Sequence, residues 1–147
     1  MSATNNNDKL FGFKLIAVVN GIAAIIHLLF WTAPITKLTL LIPSIQAPAY
    51  VDMATIYGLG LADLIWSIPL LTIGSIGLWK MKPIGWLAAQ LVNVLYWYSH
   101  TLVFTIGIIS DNVSFGMFVF VPFGLFSFWA AYYLWKTRSI ILNYKKL

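Results

Sequence analysis

The sequence predicts an all-α membrane protein, a bundle of four transmembrane helices, on three observations. Of its 147 residues, 61% are hydrophobic and only 9% are charged, whereas roughly a quarter of the residues of a soluble domain are charged. Four apolar stretches are each long enough for a spanning helix of about 20 residues. These stretches do not alternate in polarity, which argues against transmembrane strands. We therefore predict a single transmembrane domain covering residues 1–147.

The first apolar stretch, residues 11–31, is predicted to be span 1, and residues 32–53 are predicted to form an outer loop. This loop holds Pro34, Pro43 and Pro48 among apolar residues. It is too short and too often interrupted by proline to cross a bilayer. We expect it to lie in the outer interface or to cover the outer end of the bundle as a lid.

Spans 2, 3 and 4 are predicted at residues 54–79, 84–109 and 113–135. Pro69 and Pro122 lie inside spans 2 and 4, where the missing backbone N–H is expected to kink each helix. Spans 3 and 4 are joined by a tight polar turn. An aromatic belt is expected at the membrane interfaces, and four tryptophans near span ends are assigned to it: Trp31, Trp79, Trp86 and Trp135.

The basic residues predict the orientation. With four spans, both termini and the connection between spans 2 and 3 lie on one side of the membrane, and the other side holds Lys37 with Asp52 and Asp111. Because cytoplasmic loops carry an excess of Lys and Arg, we predict a multi-pass protein with both termini in the cytoplasm. This asymmetry accounts for the net charge of +5, so no nucleic-acid partner is predicted. The basic residues on the cytoplasmic side are Lys9, Lys14, Lys80, Lys82, Lys136, Arg138, Lys145 and Lys146.

Spans 1 and 3 resemble each other beyond their hydropathy. At an offset of 73 residues, Asn20 matches Asn93 and His27 matches His100. The chain is therefore predicted to be a duplicated helical hairpin whose halves are related by an axis along the membrane normal. The further matches pair Val19 with Val92, Leu29 with Leu102 and Thr32 with Thr105.

Three polar side chains inside the spans are expected at one depth. Asp63, His27 and His100 each lie about 16 residues from the cytoplasmic end of their span, roughly 24 Å at 1.5 Å per residue. Because a carboxylate in lipid needs a partner, a histidine at this depth would gain a proton and pair with it. A second layer nearer the cytoplasm is predicted from Asn20, Asn93 and Ser127.

One face of span 3 carries a polar stripe, since Gln90, Asn93, Trp97 and His100 follow helical spacing. The layer of Asp63, His27 and His100 suits proton transfer, a divalent metal, a haem held by two histidines or simple packing through hydrogen bonds. The chain has no cysteine, which excludes disulfides and thiolate metal sites, and no metal site is assigned.

Two segments carry a resemblance to a known family: residues 63–69 (DLIWSIP) and 96–105 (YWYSHTLVFT). The layout resembles the EXPERA group, which includes the emopamil-binding sterol isomerases and the sigma-2 receptor. The resemblance covers about residues 55–135 and implies a pocket, open to lipid, that binds sterols or lipophilic amines. It implies that Asp63 takes the place of the family's acid, His100 that of its histidine, and His27 that of a polar residue in the first span. The family's acid is usually Glu, and further pocket carboxylates are common there, whereas this chain offers one. DoxX-like four-helix proteins share nearly the same layout.

Three interpretations of function follow. The first is a pocket that binds a sterol- or lipid-like molecule, in which Asp63, His100 and His27 are the candidate catalytic residues for the isomerase chemistry that the resemblance implies. The second is a redox module in which His27 and His100 ligate haem b or face a quinone. The third is a non-catalytic subunit of a larger membrane complex or homo-oligomer. The candidate ligand-binding residues are Asn20, Gln90, Asn93, Tyr96, Trp97, Trp66 and Ser67.

Overall fold

A computed structural model describes residues 4–40, 53–109, 111 and 115–143. Within these ranges the chain is helical apart from short turns, and no described residue lies in a strand. The predicted all-α class is therefore confirmed. The helices are α1 (Thr4–Leu40), α2 (Met53–Ala62), a π-helical segment (Asp63–Ser67), α3 (Ile68–Trp79), α4 (Pro83–Ile109), α5 (Phe115–Lys136) and α6 (Arg138–Leu142).

Three helical stretches in the described part of the chain are long and apolar enough to cross a membrane. They are Leu10–Leu29, Gly58–Trp79 and Pro83–Ile109, and they coincide with the first three predicted spans. Helix α5, of 22 residues, occupies the fourth. That α5 crosses the membrane, and that the chain is a duplicated hairpin, stay predictions.

The first helix is longer than its apolar stretch. Helix α1 continues beyond Trp31 and through Pro34 to Leu40, so the beginning of the predicted outer loop is helical. Proline removes one hydrogen-bond donor from a helix, and here the loss of one donor does not end it. The rest of that loop, including Pro43 and Pro48, lies outside the described residues.

The second predicted span changes its helical geometry in the middle. Ile68 donates its backbone N–H to the Asp63 carbonyl, five residues back, which is the wider spacing of a π turn. Pro69 follows directly, in the first turn of α3. In a regular α-helix the proline ring would meet the carbonyl four residues earlier, and the wider turn displaces that carbonyl.

Helices α3 and α4 form a tight antiparallel pair at the basic end of the bundle. Met81 takes a left-handed conformation, with φ of 52°, and Lys82 donates its backbone N–H to the Gly77 carbonyl at 2.7 Å. A Cβ atom on Gly77 would lie 2.4 Å from the Gly85 Cα atom. The two backbones therefore touch, which small residues permit in membrane helices.

The described buried residues form two clusters, one at the basic end of the bundle and one farther from it. One buried cluster draws on α1, α3, α4, α5 and α6, and its members are Phe13, Ile16, Ala17, Leu78, Ala89, Ala130, Leu134 and Ile141. A second cluster, farther from that end, draws on α1, α3 and α4, with Phe123 of α5 packed against it; its buried members are Ala23, Ala24, Leu71, Val92 and Tyr96. The polar side chains predicted at one depth lie around this second cluster.

Candidate functional site

A small cavity lies among α1, the π-helical segment, α3 and α4. The space open to the centre of a water molecule is about 10 Å³, which is room for one water-sized group. Its polar lining comes from His27, Ser67, Tyr96 and Ser99, and its apolar lining from Leu71, Val92 and Leu95. Apolar atoms make up most of the exposed wall of the cavity, and polar atoms contribute a small part of it.

Among the residues that line the cavity, Tyr96 has a buried hydroxyl without a hydrogen-bond partner. Its side chain is only 7% exposed, and its hydroxyl has no hydrogen-bond partner. The ring is held on two sides, since its centroid is 6.4 Å from that of His27 and 6.4 Å from that of Phe123. Leaving a buried hydroxyl unsatisfied costs about 1–3 kcal/mol, so a polar occupant of the cavity would be stabilised here.

His27 contributes a titratable ring to the cavity. Its Nδ1 atom is 3.0 Å from the Ala23 carbonyl oxygen, one turn earlier in α1. When Nδ1 carries the proton and donates to that carbonyl, Nε2 is the acceptor of the neutral ring. His27 can then accept a hydrogen bond from a hydroxyl or an amine in the cavity.

Asp63 reaches the cavity through Ser67. Ser67 is one of the residues that line the cavity, and its hydroxyl donates to Asp63 Oδ1 at 2.7 Å, while Trp31 donates its indole N–H to Asp63 Oδ2 at 2.8 Å. The prediction that a histidine pairs with Asp63 is therefore wrong: the hydrogen bonds to its two carboxylate oxygens come from Ser67 and Trp31.

His100 lies on the α5 side of α4. Its Nδ1 atom is 2.6 Å from the Tyr96 carbonyl oxygen, and a Cβ atom on Gly124 would lie 2.8 Å from its Nε2 atom. His100 does not line the cavity. The three predicted catalytic residues thus do not surround one space: His27 lines the cavity, Asp63 reaches it through Ser67, and His100 packs on α5.

This placement gives the haem interpretation no support. An iron ligated by both histidines needs both rings to face one space large enough for a porphyrin, on the order of several hundred Å³. The cavity at His27 is water-sized, and His100 lies outside it. Among the described residues there is also no cluster of three or more His, Asp or Glu side chains that could hold a metal ion.

Three predicted ligand-binding residues lie between helices rather than at the cavity. Gln90 donates to the Ala131 carbonyl of α5 at 3.3 Å, and Asn93 donates to Gln90 at 3.3 Å. Trp97 donates to the Ser127 hydroxyl of α5 at 2.8 Å. The bonds of Gln90 and Trp97 join α4 to α5, and that of Asn93 holds Gln90 from within α4, which is the packing role of polar residues in membrane helices.

Two further predicted residues have different surroundings. Asn20 is buried, with 3% exposed, and its Nδ2 atom has no hydrogen-bond partner; this atom lies beside Gly74 of α3. Trp66 is 63% exposed although it belongs to the same π-helical segment as Asp63. Of the seven predicted ligand-binding residues, Tyr96 and Ser67 line the cavity.

Two residues of the site, Ser99 and Trp31, are not predicted from the sequence as site residues. Ser99 lines the cavity, and Trp31, assigned to an aromatic belt, donates to Asp63. A signal for Trp31 exists, because it lies four residues after His27 and so shares its helix face. Ser99 has no such signal, since it is next to His100 in sequence but lines a cavity that His100 does not.

Comparisons of the chain with protein-family models, curated proteins and solved structures find no match. The fold and site define the class of protein: a chain that is helical in its described part, with helices able to cross a membrane and a small cavity between them.

Proposed function

We propose that this protein binds a lipophilic molecule within the membrane, with the molecule's single polar group in the cavity at Tyr96. The observation that carries the proposal is the buried Tyr96 hydroxyl, which has no hydrogen-bond partner and belongs to a side chain that lines the cavity. A polar atom there would remove the cost of leaving this hydroxyl unsatisfied.

The size and chemistry of the cavity indicate the class of ligand. Room for one water-sized group fits a hydroxyl or an amine but not the ring system of a sterol. The apolar body of the ligand would therefore lie outside the cavity, against the helix surface. Tyr96, Ser67, Ser99 and His27 together donate and accept hydrogen bonds, which suits sterol alcohols and lipophilic amines, the classes that the EXPERA resemblance also implies.

The experiment compares Tyr96→Phe with Tyr98→Phe in purified protein. Tyr98 is two residues away on α4 and 61% exposed, so it is a matched control for loss of a tyrosine hydroxyl. Binding of cholesterol and of a lipophilic tertiary amine is measured by thermal stabilisation over a range of concentrations. We expect Tyr96→Phe to weaken binding about tenfold, the loss of one hydrogen bond of about 1.4 kcal/mol, and Tyr98→Phe to leave it unchanged.

Equal effects of the two substitutions, or no saturable stabilisation by either compound, would contradict the proposal. Misfolding is not expected to confuse the result. Removing a buried hydroxyl that has no partner relieves its cost, so Tyr96→Phe should be as stable as the unmodified protein or more so.

A second candidate function, proton-transfer isomerisation, is favoured by one observation. Two titratable groups reach the same cavity, His27 directly and Asp63 through the Ser67 hydroxyl. Since the cavity has no room for a ring system, this candidate places the reacting carbons at its mouth. One group could there remove a proton from one carbon while the other delivers a proton to a second, so that a double bond moves with no net gain of protons.

This candidate is tested with a sterol whose ring double bond can migrate, incubated with the protein in deuterated water. Mass spectrometry measures deuterium at the new C–H bond. We expect incorporation with the unmodified protein, loss with Asp63→Asn and with His27→Gln, and retention with His100→Gln because His100 lies outside the cavity. Deuterium incorporation that is unchanged in both Asp63→Asn and His27→Gln would contradict the isomerase candidate but not the binding proposal.

A further inference from the structure

A groove runs along the outside of the bundle between α1 and α3, near the basic end. Its volume is about 480 Å³, within the range of small-molecule sites. It is lined by Ala17, Val18, Ser75, Ile76, Trp79 and Lys80. Val18, Ile76 and Trp79 are each about half exposed, so the groove has an apolar floor on a surface that faces lipid if these helices cross the membrane.

One end of the groove is cationic. Lys80 lines it directly, and the Lys14 ammonium lies 5.7 Å from the centroid of the Trp79 ring, where the ring face attracts it. This contact places a second positive charge beside the groove from the opposite helix. Trp79 thus has a lysine of α1 over its ring and Lys80 next to it in the chain.

Asp8 lies six residues before Lys14 in α1, about 9 Å along the helix axis, but the other two acids in the described part of the chain are far from this cationic end. Asp63 is 16 residues before Trp79 in the helical run that ends there, or about 24 Å at 1.5 Å per residue. Asp111 follows the end of α4, a helix of 27 residues that begins next to Lys80. Neither carboxylate is placed to neutralise Lys14 and Lys80.

We infer that this groove binds one anionic phospholipid, with the phosphate between Lys14 and Lys80 and an acyl chain along Val18 and Ile76. The inference rests on the helices crossing a membrane, but it does not depend on the cavity at Tyr96. Basic clefts between membrane helices at the cytoplasmic side bind anionic headgroups, each nearby lysine contributing about 1 kcal/mol. The apolar floor beyond the lysines is what distinguishes a lipid site from a surface that attracts any phosphate.

Native mass spectrometry of the detergent-purified protein tests the inference by titration with dioleoylphosphatidylglycerol and, separately, dioleoylphosphatidylcholine. The test variant is Lys14→Gln/Lys80→Gln. The matched control, Lys82→Gln/Lys136→Gln, removes the same charge from the same end of the bundle but leaves the groove intact. We expect the unmodified protein to prefer the anionic lipid, the test variant to bind it about 30-fold more weakly, and the control to bind it nearly as well as the unmodified protein.

Two more variants separate a lipid site from general attraction. Val18→Trp fills the groove and keeps both lysines, so it should also lose the bound lipid. Lys14→Arg/Lys80→Arg keeps both charges and should retain the bound lipid. If the double glutamine variant does not fold, the comparison of Val18→Trp with Lys14→Arg/Lys80→Arg decides the question. Equal weakening by the two double glutamine variants, or full binding by Val18→Trp, would overturn the inference. Tyr96→Phe should leave phosphatidylglycerol binding unchanged, which separates this site from the proposed function.

Discussion

Asp63 is held by two donors from different parts of the chain. Ser67, one turn later, and Trp31, on α1, each donate to one of its carboxylate oxygens. The Trp31 ring lies close against α2, where a Cβ atom on Gly60 would be 2.6 Å from its Cε3 atom. The carboxylate therefore ties α1 to the π-helical segment, and the glycine lets the indole lie close enough to reach it.

This tie predicts a coupling between Trp31 and Asp63. Leaving one partner of a buried hydrogen bond unsatisfied costs about 1–3 kcal/mol, so Trp31→Phe should lower the free energy of unfolding by about 2 kcal/mol. The loss should differ when Asp63 is already Asn, because the acceptor of the indole N–H has then been replaced. The measurement is a double-mutant cycle on unfolding in mixed detergent, followed by circular dichroism.

Trp66→Phe is the control for this cycle, since Trp66 is a largely exposed tryptophan in the same segment as Asp63. It should change the free energy of unfolding by less than about 0.5 kcal/mol. Strict additivity of Trp31→Phe and Asp63→Asn would show that the bond between them contributes nothing to stability.

Gly77 of α3 and Gly85 of α4 bring the backbones of the two helices into direct contact. A Cβ atom on Gly77 would meet the Gly85 backbone at 2.4 Å, and backbone cannot turn aside as a flexible side chain can. Gly77→Ala should therefore separate the two helices and lower the free energy of unfolding by about 2 kcal/mol. Thermal unfolding of the purified variant measures the loss.

Gly58→Ala provides the comparison, because a Cβ atom at Gly58 meets nothing within 4 Å. There the alanine only improves helix propensity, by up to about 1 kcal/mol, and the variant should be as stable as the unmodified protein or more so. If the two substitutions lowered the unfolding temperature equally, close packing at Gly77 would not be the cause.

Composition and hydropathy predicted the helices better than they predicted the contacts between them. The first three spans are recoverable because an apolar stretch long enough to cross a bilayer leaves few other structures. The end of α1 is not recoverable, because the sequence shows Pro34 as a helix breaker but does not show that the surrounding helix tolerates the loss of one hydrogen bond. The partner of Asp63 is not either, because spacing along one helix places residues on a face but does not say which face of the next helix meets it. The same holds for His100, which packs on α5 and does not line the cavity.

For the whole molecule, the basic residues and the larger of the two described buried clusters lie at the same end of the bundle. The cluster that joins five helices lies at the end where Lys80 and Lys82 connect α3 to α4. Among the described residues, a second buried cluster farther along draws on three helices, and the small cavity lies beside it. The basic end thus holds the helices together, and the polar group of the proposed ligand would bind beyond it.

The predicted orientation can be tested because the chain has no cysteine, so a single introduced thiol is the only one present. Lys82→Cys places it in the turn between α3 and α4, and Asp111→Cys places it beyond the end of α4, at the opposite end of a 27-residue helix. Since the positive-inside rule puts the basic end in the cytoplasm, a membrane-impermeant maleimide added to intact cells should label Asp111→Cys and spare Lys82→Cys. Inverted vesicles should show the reverse. Labelling of Lys82→Cys in intact cells would show that the basic end faces outward, and labelling of both thiols from one side would show that α4 does not cross the membrane.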